Sequence, residues 1–513
     1  MQNEFNTKEL GLFITPYNTA EYIVSKLEEI NKNIKILDPC VGPGIFVKIL
    51  LKHGVMKEQI HTFDLNPNYE NEIKSLGVHF KQQDTLLSIT RNDYNQFDFI
   101  VGNPPYLSKA STYIRINRTN LKKIYGRINA HETYSMFLVN GIWRLKEGGK
   151  LGFITSDSFL TLSTHTRLRK FILDNCIINE ILLAPKNLFL SQGVSTSPAI
   201  LILTKCSGEF NKKKRENNTM RIISRINSEE EYRDPGFVHE IKQSKYHSLP
   251  FNIFFIDIEE QIIKLFEKSE KLKHYLKGYI GMHTHNNKKF IAAIEGTELA
   301  KLFKKRNEKI TNEKEKFKII SNEEFNSKTW KPYLKRGGGD QYYRPIMEAL
   351  KWDKDSIQIY DIPRNAPFEH EGIAISGVSS RLAARYMPKG CYWDSNKVIG
   401  FIVKNLKISI NYVLGLLNSS LYNYLAKGII NNTSSIQISG IYNLPIILPD
   451  EETKIRIERL VKIIIDKQKR EIKYNFSKEQ RQIDNIIYEF YDKTMHFPET
   501  VKEKIDNHYS TNK

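Results

Sequence analysis

The chain is 513 residues long, 40% hydrophobic and basic, with 77 Lys and Arg against 58 Asp and Glu and a formal net charge of +19. This length suits two or three domains with sizeable cores. The cation excess lies late: residues 1–200 hold 23 Lys and Arg against 18 Asp and Glu, the remainder 54 against 40, as expected if the later part meets a polyanion. Four scattered cysteines, Cys40, Cys176, Cys206 and Cys391, form no CxxC pair. They argue against a disulfide framework or a zinc site and suit a reducing cytosol. There is no basic-then-apolar leader and no apolar run of about 18 residues, which argues against secretion and membrane spans.

In chain order, Gly11-Leu12-Phe13-Ile14-Thr15-Pro16 opens the ordered part. Thr15-Pro16 before Ala20–Val24 reads as a helix start, Thr15 near the cap and Pro16 in the first turn. Ile34–Phe46 reads as strand, glycine turn and helix, through Asp38-Pro39-Cys40-Val41-Gly42-Pro43-Gly44. Gly42 and Gly44 let the backbone approach a ligand, and the helix that follows turns N–H groups toward it. Asp38, at the strand end, can hold a cationic amine. Ile60–Asn66 is a second short strand ending in Asp64. An acid about twenty residues past a glycine turn suits a ribose diol, or is an ordinary strand-end surface acid. Val78–Leu86 is a third short segment, carrying Asp84.

Phe97-Asp98-Phe99-Ile100-Val101-Gly102 then reads as a buried strand running into Asn103-Pro104-Pro105-Tyr106. Two prolines remove two backbone donors and stop the sheet ladder, leaving a stiff elbow at a strand's carboxyl end, where open α/β sheets place ligands. Asn103 offers an amide oxygen and Pro104 a carbonyl. Two acceptors side by side can take both hydrogens of a planar amino group and aim its lone pair at an electrophile. Tyr106 offers a flat face on which a base can stack.

Ser108 to His131, with Arg115, Arg118, Lys122, Lys123 and Arg127, is either a solvated loop with a short helix or a mobile segment whose cations meet phosphates. Tyr134–Leu145 reads as an amphipathic helix ended by Glu147-Gly148-Gly149, followed by strands at Lys150–Thr155, Ile181–Ala184 and Ala199–Leu203. Ser207–Thr219 reads as a surface excursion or linker, or as an extended hairpin turn. Further on, Ile256–Phe266 is an amphipathic helix. His283 and His285 stand at i, i+2 with no acidic or cysteine partner in sequence, so no metal site is expected. Trp330–Arg344, Ser376–Arg381 and Arg385-Tyr386 mix aromatics, cations and glycines, a composition able to track phosphates.

Asn103-Pro104-Pro105-Tyr106 resembles motif IV of S-adenosylmethionine-dependent amino-methyltransferases. With its flanks it is similar to the gamma class (Taq-type) of N6-adenine DNA methyltransferases of restriction-modification or related systems. The resemblance spans nearly the whole chain. It is tightest over the first 205 residues and extends through Tyr412–Ser420, Ile436–Ser439, Leu444–Ile446 and the closing helix around Ile483–Tyr491. It implies an α/β, Rossmann-like methyltransferase domain with a mixed, mostly parallel sheet. A mixed α/β DNA-recognition domain and C-terminal helices would follow, with divisions at 1–240, 241–450 and 451–513. It implies S-adenosyl-L-methionine as cofactor, held by Thr15, Pro16, Asp38, Pro39, Gly42, Gly44, Asp64, Leu65, Asp84 and Asn103. Catalysis on a flipped adenine would fall to Asn103, Pro104, Pro105 and Tyr106, with Phe189 as second base stacker and no metal.

The implied partner is double-stranded DNA, bound by a monomer. Cleavage is expected to belong to a separate cognate restriction endonuclease or to be absent, since the first motif begins near residue 11. The expected location is the bacterial cytoplasm, at the nucleoid when on DNA. The competing readings are an RNA or protein-glutamine methyltransferase, or a catalytically silent DNA-binding component of a defence system.

Overall fold

The structure is a computed structural model that describes residues 11, 13–27, 33–193, 197–430, 435–471 and 473–511. Leu12 of the opening motif and Val194, Ser195 and Thr196 after Phe189 lie outside the described residues. The chain divides into two units, Met1–Ile258 and Glu259–Lys513.

Among the described residues, the first unit is built on nine strands. These are β1 (Ile36–Asp38), β2 (Ile60–Asp64), β3 (His79–Gln82), β4 (Phe97–Gly102), β5 (Leu145–Ser156), β6 (Cys176–Leu183), β7 (Pro198–Lys205), β8 (Thr219–Ile223) and β9 (Val238–Lys242). Their order across the sheet is β3-β2-β1-β4-β5-β7-β6-β8-β9. The run β3 to β5 is parallel throughout, whereas β7 inserts antiparallel to both β5 and β6. Such a mixed, largely parallel sheet must be covered on both faces. The helices of this unit's first two hundred residues include α1 (Tyr17–Ser25), α2 (Ile45–Lys52), α3 (Glu70–Ser75), α4 (Thr112–Tyr125), α5 (Thr133–Arg144), α6 (Ser158–Thr161) and α7 (Thr166–Asn175).

The core on one face joins Ile23 of α1 and Phe46, Val47 and Leu50 of α2 to Ile36, Val101, Ile154, Ile200 and Ile202 of the sheet. Each such fully buried aliphatic side chain contributes about 1.5–3 kcal/mol. Strands β1 and β7 read as continuous apolar runs because both their faces are covered.

Two local expectations come out differently. The glycine pair at 148–149 does not separate helix from strand. The helix stops at Arg144 and β5 begins at once, with Gly148 at φ 81° inside it and a register irregularity against Phe97–Phe99. Residues 207–219 are short helical turns, not a linker. Buried Arg215 donates to the carbonyls of Cys206 (2.6 Å) and Gly208 (2.9 Å), and β8 and β9 then extend the same sheet.

The second unit holds a four-stranded antiparallel sheet, in the order Leu276–Ile280, Val398–Val403, Gly372–Ser376, Ala384–Met387. A five-stranded sheet includes Ile291–Ile294, Glu348–Lys351 and Trp330–Leu334. The helices Ile410–Asn418, Glu451–Arg470 and Ser477–Met495 close this unit. An α/β methyltransferase-like sheet is thus followed by further α/β and helical regions. Among the described residues no helix is long and apolar enough to cross a membrane.

Candidate active site

Strand order reverses between β1 and β4: the chain runs outward through β2 and β3, then returns to the other side of β1. Crevices at the carboxyl ends of strands form at this switch point. Asp38 ends β1, Asp64 ends β2, Asp84 follows β3 and Asn103 follows β4. The sheet topology therefore gathers four residues spread over 66 positions of sequence.

Gly42 has φ 51°, and a Cβ built there meets nothing within 4 Å, so the turn leaves room above its backbone; Gly44 caps α2 at φ 79°, and its missing Cβ makes way for Ile73. The Asp64 carboxylate is held by the backbone, accepting from Gly42 N (2.8 Å) and Asn66 N (2.8 Å). Burial nevertheless raises its pKa. Asp38 is 1% exposed. Its Oδ1 accepts weakly from Cys40 N (3.2 Å), and its Oδ2 is buried without a partner. Burial pushes this carboxyl up to about 8, the Cys40 amide opposing and the neighbouring Asp64 charge adding to the rise. A carboxyl so placed accepts a cation readily, because pairing recovers part of the desolvation cost.

The elbow is strapped from two sides. From below, Thr133 at the start of α5 donates its hydroxyl to the Pro105 carbonyl, while that hydroxyl accepts from Leu107 N (2.9 Å). From above, Gly11, Phe13 and Ile14 reach the elbow and its flank. Tyr106 N donates to Gly11 O (3.1 Å), and Asn103 Nδ2 donates to Phe13 O (2.9 Å). Gln192 pins Ile14 through both its backbone groups at 2.8 Å. The Phe13 carbonyl fixes the orientation of the Asn103 amide, since only the NH₂ end can face an acceptor. Asn103 Oδ1 is left buried and unpartnered.

Three aromatic rings gather at the elbow. Phe13 stacks on Tyr106 (centroids 5.5 Å, 27°) and tilts against Phe189 (5.9 Å), which stands edge-on to Tyr106 (6.2 Å, 62°). Tyr134 backs Tyr106 edge-on at 6.1 Å and is tied to Ser158 (2.6 Å) and buried His165 (3.0 Å). Burial lowers the His165 pKa to about 3, so the imidazole stays neutral in this network.

Two cavities share Cys40 as a wall. One, about 530 Å³, is lined by Pro39, Asp64, Leu65, Asp84, Pro105 and Tyr113. The other, about 800 Å³, is lined by Phe13, Thr15, Gly42, Asn103 and Gln192. The residues singled out from sequence thus divide. Thr15, Gly42 and Asn103 line the second cavity, and Pro39, Asp64, Leu65, Asp84 and Pro105 the first. Asp38, Gly44, Pro104 and Phe189 stand behind the walls, while Tyr106 packs within the aromatic cluster. Pro16 is the N-cap of α1 in extended conformation, and no side chain caps that helix; Thr15 is buried at the cavity and does not cap.

Sequence reasoning passed over Phe13, Thr133 and Gln192, and it placed Tyr113 only within a basic stretch. Tyr113 donates its hydroxyl to both oxygens of Asp84 (3.0 and 2.9 Å), whose Oδ1 also accepts from Leu86 N and Leu87 N. A phenylalanine two residues before Thr-Pro was the one visible signal; the other contacts span 26 to 178 residues.

Residues 11–189 match the family model described as Eco57I restriction-modification methylase. The chain is 29% identical over 196 residues to the type II methyltransferase M.HincII of Haemophilus influenzae, covering 37% of this chain and 36% of that protein. It is 24% identical over 303 residues to the type II methyltransferase M.VspI of a Vibrio species, covering 56% of this chain and 68% of that one. The chain therefore spans about a third of the length of the first of these relatives. In fold it resembles the type IIL restriction-modification enzyme MmeI solved with DNA (TM-score 0.56, 13% identity, 97% of this chain, 75% of that one). It also resembles a nuclease-deletion mutant of the type ISP enzyme LlaGI solved with a DNA substrate mimic (TM-score 0.52, 14% identity, 91% and 55%). Over residues 11–189 the chain is therefore similar to the restriction-modification methylases.

Proposed function

We propose that this protein is a site-specific DNA methyltransferase that transfers a methyl group from S-adenosyl-L-methionine to N6 of an adenine flipped out of duplex DNA. The observation that carries the reading is Asn103: its amide NH₂ is spent on the Phe13 carbonyl, and its buried Oδ1 is left without a partner. A buried acceptor left unpaired costs about 1–3 kcal/mol, which an incoming amino group would return.

The cavities suit the cofactor chemically. Asp64 is a backbone-anchored acid that would accept from a ribose diol. Asp84 is an acceptor for an exocyclic amine, and Leu65 and Pro105 are apolar walls for a purine. Asp38 is an orphaned carboxyl for an ammonium group, and Thr15 and Gly42 line the cavity that Asn103 shares. The cofactor would supply an already activated methyl on a sulfonium. The residues then need only align and stabilise. Asn103 Oδ1 and the Pro104 carbonyl accept the two amino hydrogens, drawing the nitrogen lone pair out of the ring as positive charge develops. Tyr106 and Phe13 part to take the base between them, and Phe189 bounds its edge. Extruding the base costs a few kcal/mol, which phosphate contacts of the basic chain would offset. Double-stranded DNA is the proposed partner of a monomer, with any cleavage made by a separate endonuclease.

Incubation with tritiated cofactor and either duplex DNA, tRNA or protein extract tests the substrate class. Label should appear in DNA as N6-methyladenine and vanish with Asn103→Ala. Label confined to RNA or protein would refute the assignment.

A further inference from the structure

We propose that the second unit carries a divalent-metal site formed by His283, His285 and Asp361, independent of the methyl-transfer site. The two histidines lacked a third ligand in sequence; the fold supplies one from 76 residues further on. One ligand atom from each residue lies within 4.8 Å of the others. His285 Nε2 and Asp361 Oδ2 are 2.9 Å apart, and the two imidazole rings meet edge-on at 4.6 Å between centroids.

The backbone holds this cluster in place. His283 N donates to Asp361 O (3.1 Å) and Asp361 N to His283 O (3.0 Å), a reciprocal antiparallel bridge between the two segments. On the residue before, Met282 N donates to Trp393 O (2.9 Å) and Ser395 N to Met282 O (3.0 Å). The ligand-bearing turn is therefore tied to two other segments before any ion arrives. His285 sits at φ 60°, an uncommon conformation for a residue with a Cβ. That conformation brings its ring back toward His283. Strain of this kind costs of order 1–3 kcal/mol and concentrates at functional sites.

The donor set names the ion class. Two imidazole nitrogens and one carboxylate oxygen suit zinc or a neighbouring first-row divalent ion, not calcium or magnesium, which take oxygen ligands. Ligand atoms about 2.0–2.2 Å from a tetrahedral zinc stand roughly 3.3 Å apart. The present spacing therefore needs only side-chain rotations. The exposed side would leave the fourth position to water. The ion would staple the 281–287 turn to the segment at 361, fixing one surface loop of the second unit.

The test uses the full chain stripped with a chelator and titrated with Zn²⁺ by calorimetry, and with Co²⁺ by visible absorption. One equivalent of Zn²⁺ should bind with about micromolar affinity, Co²⁺ should give tetrahedral bands displaced by Zn²⁺, and thermal unfolding should shift upward with Zn²⁺. His285→Ala and Asp361→Ala should each weaken binding at least about tenfold, on the scale of losses at metal sites. Far-ultraviolet circular dichroism checks that each variant is folded. No saturable Zn²⁺ binding, or binding unchanged in the folded variants, would overturn the proposal.

Discussion

In the first unit, Asp38, Asp64, Asp84 and Asn103 each stand at or just beyond the end of a parallel strand, so one topological feature aligns them. The second unit fixes its loops by a different means. Buried Arg344 and Arg385 both reach the Arg336 carbonyl (3.0 and 2.9 Å), and Arg344 also pairs with buried Glu348 (3.2 Å). Ser376 holds the Gly338 carbonyl. The cations of 330–344 and 385 that read as phosphate contacts are thus of two kinds. Arg344 and Arg385 are turned inward to hold a glycine loop, whereas Arg336 is not among the buried residues. Burial lowers the Arg385 pKa to about 10, yet it remains charged at neutral pH, and its bonds to the Arg336 carbonyl and the Ser376 hydroxyl repay part of that burial. Strand ends place acids and an amide at a cavity; buried arginines shape a loop.

The comparison is broken most severely by removing the acceptor. Asn103→Ala or Tyr106→Ala should lower turnover by about 10²–10⁴-fold, the scale for removing a group that acts on the reacting atoms, with cofactor affinity measured by calorimetry little changed. Wild-type turnover in both variants would dissolve the distinction between a chemical first unit and a docking second one. Next in size, Arg336→Ala with Arg381→Ala should weaken DNA binding by about tenfold. The slope of log K against log salt should become shallower by about one for each phosphate that is no longer neutralised. Turnover at saturating DNA should hold.

Asp38 gives a pH signature. Its carboxyl ionises near 4 in the unfolded chain and at about 8 in the fold. Between those values the folded protein binds the extra proton, so its stability should fall as pH rises from about 4 to 8. Asp38→Asn should flatten that decline in urea titrations at several pH values. By the same linkage, an ammonium group docking on Asp38 should release protons at pH 7 in calorimetry run in buffers of different ionisation enthalpy, and release fewer in the variant. The smallest expected effect is Tyr113→Phe. It frees Asp84 from the tyrosine hydroxyl and should tighten cofactor binding by a few-fold, the worth of one competing hydrogen bond. Weaker binding would mean that Tyr113 supports the carboxylate instead of competing for it.

Much of the first unit is legible in the chain. Strand β4 and its elbow can be read because a buried strand is a run of apolar residues and proline ends it without outside help. The glycine turn and the acids after β1 and β2 are read in the same local way. The end of α5 was misplaced because Gly148 marks an irregularity inside β5, a matter of pairing with β4. Arg215, Arg344 and Arg385 look like surface charge in sequence, and only the carbonyls they meet in the fold show otherwise.

By itself, then, the sequence determined the α/β alternation, the elbow at Asn103–Tyr106 and the acids near it, since period, proline and glycine act over a few residues. Tertiary structure alone decided that Phe13 orients the Asn103 amide and covers Tyr106, that Tyr113 engages Asp84, and that Asp361 joins His283 and His285. Each of these depends on where a second, distant segment passes, and a hydrogen bond or ring contact carries no mark in the sequence of the partner it will meet.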